Sequence, residues 1–247
     1  MARLKSLNEV ELVGYLKPKD IVLPSGKELI LGALSTSLRE QNNAGEWETK
    51  IEEWHTLVPK TTKAADSIRF FTPPVPVARV KGRFRRRRYE KNGAVRYANE
   101  ILVFDPITPS GTTARVNRIT LRGNLGKDPS VIFPKDPEID PVEIRLLLAI
   151  DRHYRLGEKW DKETTWLEVL FLTEIVLPKV RGLKKGDRIK VEGTLTYFKK
   201  DEQQFVEILG LKLLTPEEDQ AAEMEKEEQE LNDSWASESS YSAATTF

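Results

Sequence analysis

Polar and apolar residues alternate through "VNRITLRGNLGKDPSV", residues 116 to 131, until a Gly-Asn-Leu-Gly turn ends the pattern. Side chains of an extended chain point to opposite faces in turn, so this period of two predicts a strand with one buried face. A fainter version stands 109 residues earlier as "LNEVELVGYLKPKD". Behind the later opening follow "VEIRLLLAIDRHY", "TTWLEVLFL", "DRIKVEGTLTYF" and "QFVEILGLKLL", each bounded by Gly, Pro, Asp or Lys clusters. Behind the earlier one follow "ELILGALSTSLRE", "EEWHTLV", "VARVKGRFRRRRY" and "AVRYANEILV". The pattern predicts one five-stranded unit, written twice.

Five strands with one crossover in about 100 residues fit a small Greek-key barrel of the OB type. The predicted fold class is all-β: a first OB-fold over residues 1–104, a linker over 105–115, a second OB-fold over 116–215 and a tail over 216–247. In the second copy "PKVRGLKKGD" predicts a short helix or irregular crossover, whereas "FFTPPVPVA" in the first is too proline-rich for a helix. The linker "DPITPSGTTAR" is made of turn formers. From Thr215 the chain becomes acidic and then Ser-rich. Such a segment cannot bury enough apolar surface to fold alone, which predicts a disordered tail whose first part forms at most a transient helix.

Composition narrows the chemistry. The 247 residues include no cysteine and two histidines, His55 and His153, too few for disulfides, thiolate metal sites or a histidine-rich metal centre. No metal and no cofactor is expected. No apolar run approaches the roughly 20 residues of a membrane span, and "MARLKSLNEVEL" has no apolar core of signal-peptide length, so an intracellular setting is expected. The net charge of zero hides a segregation: residues 217–247 hold ten acids and one lysine, a net −9, which leaves +9 on residues 1–216. A basic body suits a polyanionic partner.

The segments "VNRITLRGNLGKDPSV", "LLLAIDRHY", "TTWLEVLFL", "LKKGDRIKVEGTL" and "VEILGLKLL" resemble, in order and spacing, the strands of the bacterial-type single-stranded-DNA-binding protein family over residues 116 to 214. "LNEVELVGYL", "EEWHTLV" and "VKGRF" agree less well, so residues 7 to 104 look like a diverged duplicate. The resemblance implies sequence-nonspecific binding of single-stranded DNA without catalysis, protecting it in replication, recombination and repair, in the cytoplasm at the nucleoid. Two barrels per chain imply a homodimer whose four barrels wrap one strand. Family members often close in an acidic tip ending Pro-Phe that docks DNA-maintenance proteins. Here Phe247 follows "SYSAATT", a departure that weighs against that role for the acidic tail.

A sequence-neutral binder of single strands needs cations for phosphates interleaved with aromatics for exposed base faces. Residues 80 to 97, "VKGRFRRRRYEKNGAVRY", supply Arg83, Arg85, Arg86, Arg87, Arg88, Tyr89, Arg96 and Tyr97 on a hairpin turned at Asn92-Gly93. Alternation lets about half of these arginines face one ligand strand. Tyr89, seven residues after Gly82, falls where the resembled family carries a stacking aromatic. Trp54 and Trp166 hold equivalent third-strand positions that the family uses for stacking, although an indole alternating with Leu57 and Val58 also fits a barrel core. Tyr154, flanked by Arg152, His153 and Arg155, matches another stacking position. Trp160 and Trp47 lie in polar loops, from which either could close over bases. Tyr197, Phe198, Lys199 and Lys200 follow in the second hairpin, and Arg122 and Lys127 flank the Gly-Asn-Leu turn. The resemblance places His55 near a subunit interface, while a satisfied or solvated histidine is the more common outcome for such a residue.

No nucleophile with its base, no paired carboxylates and no P-loop spacing in "GNLGKD" support an enzyme. The same residues suit an RNA-binding or primosome-type OB protein, and a protein-interaction scaffold is the reading from another class. The opposite charges of body and tail suggest that the tail folds back on the basic hairpin.

Overall fold

The computed structural model describes residues 5–22, 26, 28–36, 38–41, 47–51, 53–71, 77–91, 93–111, 114–136, 138, 140–200 and 203–243. The first repeat contains β1 (Leu7–Val22), β2 (Glu28–Ser35), a small hairpin of β3 (Leu38–Gln41) and β4 (Trp47–Ile51), β5 (Trp54–Pro59), α1 (Thr62–Arg69), β6 (Ala78–Lys91) and β7 (Ala94–Val103). After β8 (Thr108–Pro109) the second repeat contains β9 (Val116–Leu125), β10 (Ser130–Ile132), β11 (Glu143–Leu156), β12 (Lys159–Phe171), a 3-10 turn at Glu174–Val176, α2 (Leu177–Val180), β13 (Arg188–Lys200) and β14 (Gln203–Leu214). Helix α3 (Pro216–Ala243) follows. Hydrogen bonding runs β1-β2-β5-β7-β6 and closes from β6 to β1; it runs β9-β11-β12-β14-β13 and closes from β13 to β9. The third and fifth strands of each set are parallel. These are two closed five-stranded OB barrels, as the alternation predicts.

The barrels meet through their first strands. β1 and β9 pair antiparallel, with Leu7 opposite Arg122, Val10 opposite Ile119 and Val13 opposite Val116. Under the 109-residue offset Val10 corresponds to Ile119 and Leu7 to Val116, so equivalent residues exchange partners across a local two-fold axis. The repeats therefore join as an isologous dimer does, inside one chain. One continuous core spans the seam, with Val10, Leu12, Phe84 and Ile101 on one side and Ile119, Leu121, Leu195 and Ile208 on the other.

A second device appears in both copies. The Asn8 side-chain amide donates to the Phe84 carbonyl (2.8 Å) and accepts from its N–H (3.0 Å). Asn117 does the same to Leu195, at 2.8 and 3.1 Å. Gly82 and Gly193 stand two residues before those partners, and a Cβ there would meet the carbonyl oxygens of Leu102 and Leu209 at 2.7 and 2.3 Å. Only glycine allows the neighbouring backbones to approach so closely.

Three features differ from the sequence expectation. The first repeat does carry a helix before its fourth strand. Helix α1 precedes the prolines, is capped by the Thr61 hydroxyl accepting from Ala64 N–H (3.1 Å), and buries Ala64 and Ile68 one turn apart. Residues 72–76 of the proline stretch lie outside the described residues. The segment between the repeats is strapped to the first barrel: β8 pairs with β6, and buried Ile107 donates its N–H to Ser67 Oγ (2.9 Å). The first part of the acidic segment, for which a transient helix was expected, forms helix α3, and its root docks on the second barrel. Among the described residues no helix is long and apolar enough to cross a membrane.

Candidate nucleic-acid interface

The β6–β7 hairpin turns at Gly93, whose φ of 73° suits an Asn-Gly turn. Cross-strand register places Arg85 opposite Glu100, Arg87 opposite Ala98 and Tyr89 opposite Arg96 on one face, with Arg86 opposite Asn99 and Arg88 opposite Tyr97 on the other. Alternation thus divides the arginines. Glu100, 7 % exposed, accepts from Arg85 and from Arg87 Nε (3.1 Å) and Nη2 (2.9 Å), so one carboxylate orients two guanidiniums. Burial alone would raise the Glu100 carboxyl, but hydrogen bonds from Arg87 and Arg85 bring it below its ordinary range. On the opposite face Arg86 lies 4.6 Å from the Tyr97 ring centre, while Arg87 lies 5.4 Å from that of Tyr89. Arg88 and Arg96 are exposed, and Tyr97 is 52 % exposed.

In the second barrel Trp166 is 54 % exposed and its ring rests on Gly126, where a Cβ would fall 2.3 Å from the indole. The turn glycine therefore seats one edge of the ring and leaves much of it accessible. Trp54, its counterpart, pairs with Ser35 as Trp166 pairs with Ala149. It is half-buried, with Lys17 Nζ 5.2 Å from its ring centre. Trp160, beyond the positive-φ turn at Gly157, is 74 % exposed. Tyr154 is half-buried and donates its hydroxyl to Asp161 (3.0 Å), which raises its pKa. Arg152, Arg155 and Lys127 are exposed. Phe198 is partly exposed and stacks on Phe205 at 5.5 Å.

Two expected contact residues serve other purposes. Arg122 is 5 % exposed, held by Asp219 through Nε and through Nη2 at 2.8 Å, and by Glu223 at 2.7 Å. Lys190 lies 3.4 Å from both acids, and Lys179 holds Glu218 at 2.6 Å. Arg122 anchors the root of α3 and has no face for a phosphate. Glu218, Asp219 and Glu223, the paired acids at the root of α3, thus meet the second barrel, not the arginine hairpin on which the tail was expected to fold back. Tyr197 is turned inward: its ring packs edge-on to His55 at 5.0 Å and its hydroxyl meets His55 Nδ1 at 2.9 Å. The side chains of Trp47, Lys199 and Lys200 lie outside the described residues.

His55 closes a seam between the barrels. It is fully buried, with Nε2 2.7 Å from Thr36 Oγ1. Thr36 donates to Glu53 (3.0 Å), and Glu53 accepts from Asn117 (2.9 Å), the clamp residue on β9. Desolvation lowers the His55 pKa to about 3, and burial together with the Glu53 charge raises that of Tyr197. The imidazole is therefore neutral. Sequence reasoning left His55 open and missed Glu53 and Asn117, because Tyr197 lies 142 residues from His55 and Asn117 lies 64 from Glu53.

On the other side of the two-fold axis the barrels leave a groove of about 910 Å³. It is lined by Lys5, Asn8, Arg83, Phe84 and Arg85 from the first repeat and by Arg152, Trp160, Lys162 and Arg188 from the second. Phe104 lies beside it with Arg83 5.0 Å and Arg152 5.7 Å from its ring centre.

The architecture defines a tandem OB-fold protein. Residues 116–208, which make up most of the second barrel, match the model of the Single-strand binding protein family. The chain is similar to the crystal structure of the wild-type single-stranded DNA binding protein from Thermus aquaticus, at 23 % identity and a TM-score of 0.61, covering 86 % of this chain and 94 % of that one. A deletion mutant of the same protein aligns at 22 % identity and 0.60, covering 86 % and 95 %. At such identity the likeness establishes the shared two-barrel fold. No curated protein matches the chain by sequence.

Proposed function

We propose that this chain binds single-stranded DNA without sequence preference, stacking bases on exposed aromatics and holding phosphates with arginines and lysines. The observation that carries the reading is the coincidence of exposed rings, Trp160, Trp166 and Tyr97, with the arginine-rich faces of extended hairpins. The family match of the second barrel and the single-stranded DNA named for the Thermus aquaticus structures point the same way. In the cell the chain protects single strands during replication, recombination and repair, as a cytoplasmic, nucleoid-associated homodimer offering four barrels.

Tryptophan fluorescence during titration with dT oligomers of increasing length, at two salt concentrations, tests this. Quenching by single strands and not by duplex, weakened by salt, is the expected result. Equal quenching by RNA would make the ligand single-stranded nucleic acid in general, and absence of quenching by any nucleic acid would leave the scaffold reading.

A further inference from the structure

The groove holds six cationic side chains, Lys5, Arg83, Arg85, Arg152, Lys162 and Arg188, against Glu9, Asp151 and Glu163. Asp151 is already taken by Lys162 (2.9 Å) and Thr164 (2.8 Å). Among the described residues no carboxylate lies within ion-pair distance of Arg83 or Arg152. These two guanidiniums come from different barrels and share one ring, Phe104. Burial lowers the Arg83 pKa and the charge of Arg152 lowers it further, against a smaller opposing effect of Glu9. Two like charges thus act on each other beside one ring, an arrangement that an anion relieves.

The opposite side of the same two-fold axis shows that the fold is able to close this place. There the Asn117–Leu195 clamp, counterpart of Asn8–Phe84 in the groove, is covered by the network of Glu53, Thr36, His55 and Tyr197. The groove side carries cations and open volume instead. Its rim holds Trp160 on the second barrel and Arg85, root of the arginine hairpin, on the first.

We propose that the groove is the crossing through which one single strand passes from the second barrel to the first, with a backbone phosphate bridged by Arg83 and Arg152. The two barrels then form one continuous site. The proposal rests on the single-strand-binding reading and adds a path to it.

The test compares dT oligomers of about 8 nucleotides, within reach of one barrel, with oligomers of about 30, long enough for two. Wild-type protein is expected to bind the longer much more tightly than linear scaling with length gives. In the Arg83→Ala/Arg152→Ala double variant that advantage falls roughly tenfold or more, and the slope of log affinity against log salt for the longer oligomer drops by about 0.7, the share of one phosphate. The double lysine variant, Arg83→Lys/Arg152→Lys, is expected to restore the slope, which excludes loss of fold as the cause. An alanine variant that keeps both the length advantage and the slope overturns the crossing while leaving single-strand binding intact. Wild-type protein that binds neither oligomer overturns both readings.

Discussion

The two places where the barrels face each other are related by one local axis and have opposite characters. The seam around His55 is buried at its centre and hydrogen-bonded, with Tyr197, Thr36, Glu53 and Asn117 linked in one network. The groove around Arg83 and Arg152 is open and charged. A repeated fold that keeps its strand pairing is free to differ at the flanks: here one flank fastens the repeats and the other stays open. A symmetric pair of identical barrels would have to use both flanks alike.

Breaking the seam gives the largest expected effect. His55→Ala leaves a cavity and strips the Tyr197 hydroxyl and Thr36 of their shared partner, at a cost of about 3 kcal/mol in denaturant unfolding. A change below 1 kcal/mol would show that the seam does not fasten the barrels. Acid sharpens the same contrast. Folded His55 titrates at about 3, whereas the unfolded chain takes up that proton near pH 6.5, so protons favour the unfolded state between these values. The His55 contribution is complete above pH 6.5 and declines by about 1.4 kcal/mol per unit as pH falls toward 3. Unfolding followed from pH 7 to pH 4 in wild type and in His55→Gln should show a shallower decline in the variant; parallel declines would place the acid sensitivity elsewhere.

The groove side should respond in the reverse manner. Trp160→Ala, at an exposed rim position, is expected to shift unfolding by less than about 0.5 kcal/mol and to weaken single-strand binding by about 1 to 2 kcal/mol. A variant less stable but equally tight would reverse the assignment. The smallest effect tests the symmetry. Asn8→Ala and Asn117→Ala each remove a twin backbone clamp, about 1 kcal/mol. Asn117→Ala should cost somewhat more, because Asn117 also donates to Glu53. Equal losses would mean that the seam network tolerates the gap.

Much of the barrel pair was legible in the chain. Alternation located all ten barrel strands, because a half-buried strand must repeat with period two whatever it packs against. The exposed aromatics at Trp160 and Tyr97 and the arginine hairpin were legible for a related reason, since polar segments and charged strands have no apolar interior to join, whereas Trp166 in an apolar strand stayed open between stacking and core. Helix α1 was overlooked because the prolines behind it dominated the reading; the Thr61 cap and the Ala64–Ile68 spacing were its signal. Arg122 was misplaced because its burial comes from acids 97 and 101 residues away.

By itself the sequence determined the local periodicities: two runs of five strands, their turns, and a basic body followed by acidic residues. These follow from side-chain alternation and turn chemistry, which act over a few residues. Only the tertiary structure decided that the first strands pair about a two-fold axis, that Tyr197 turns in to His55 while Arg83 and Arg152 share an open groove, and that the acidic helix begins on Arg122. Each of these joins residues far apart in the chain, where burial and charge depend on what the other repeat brings.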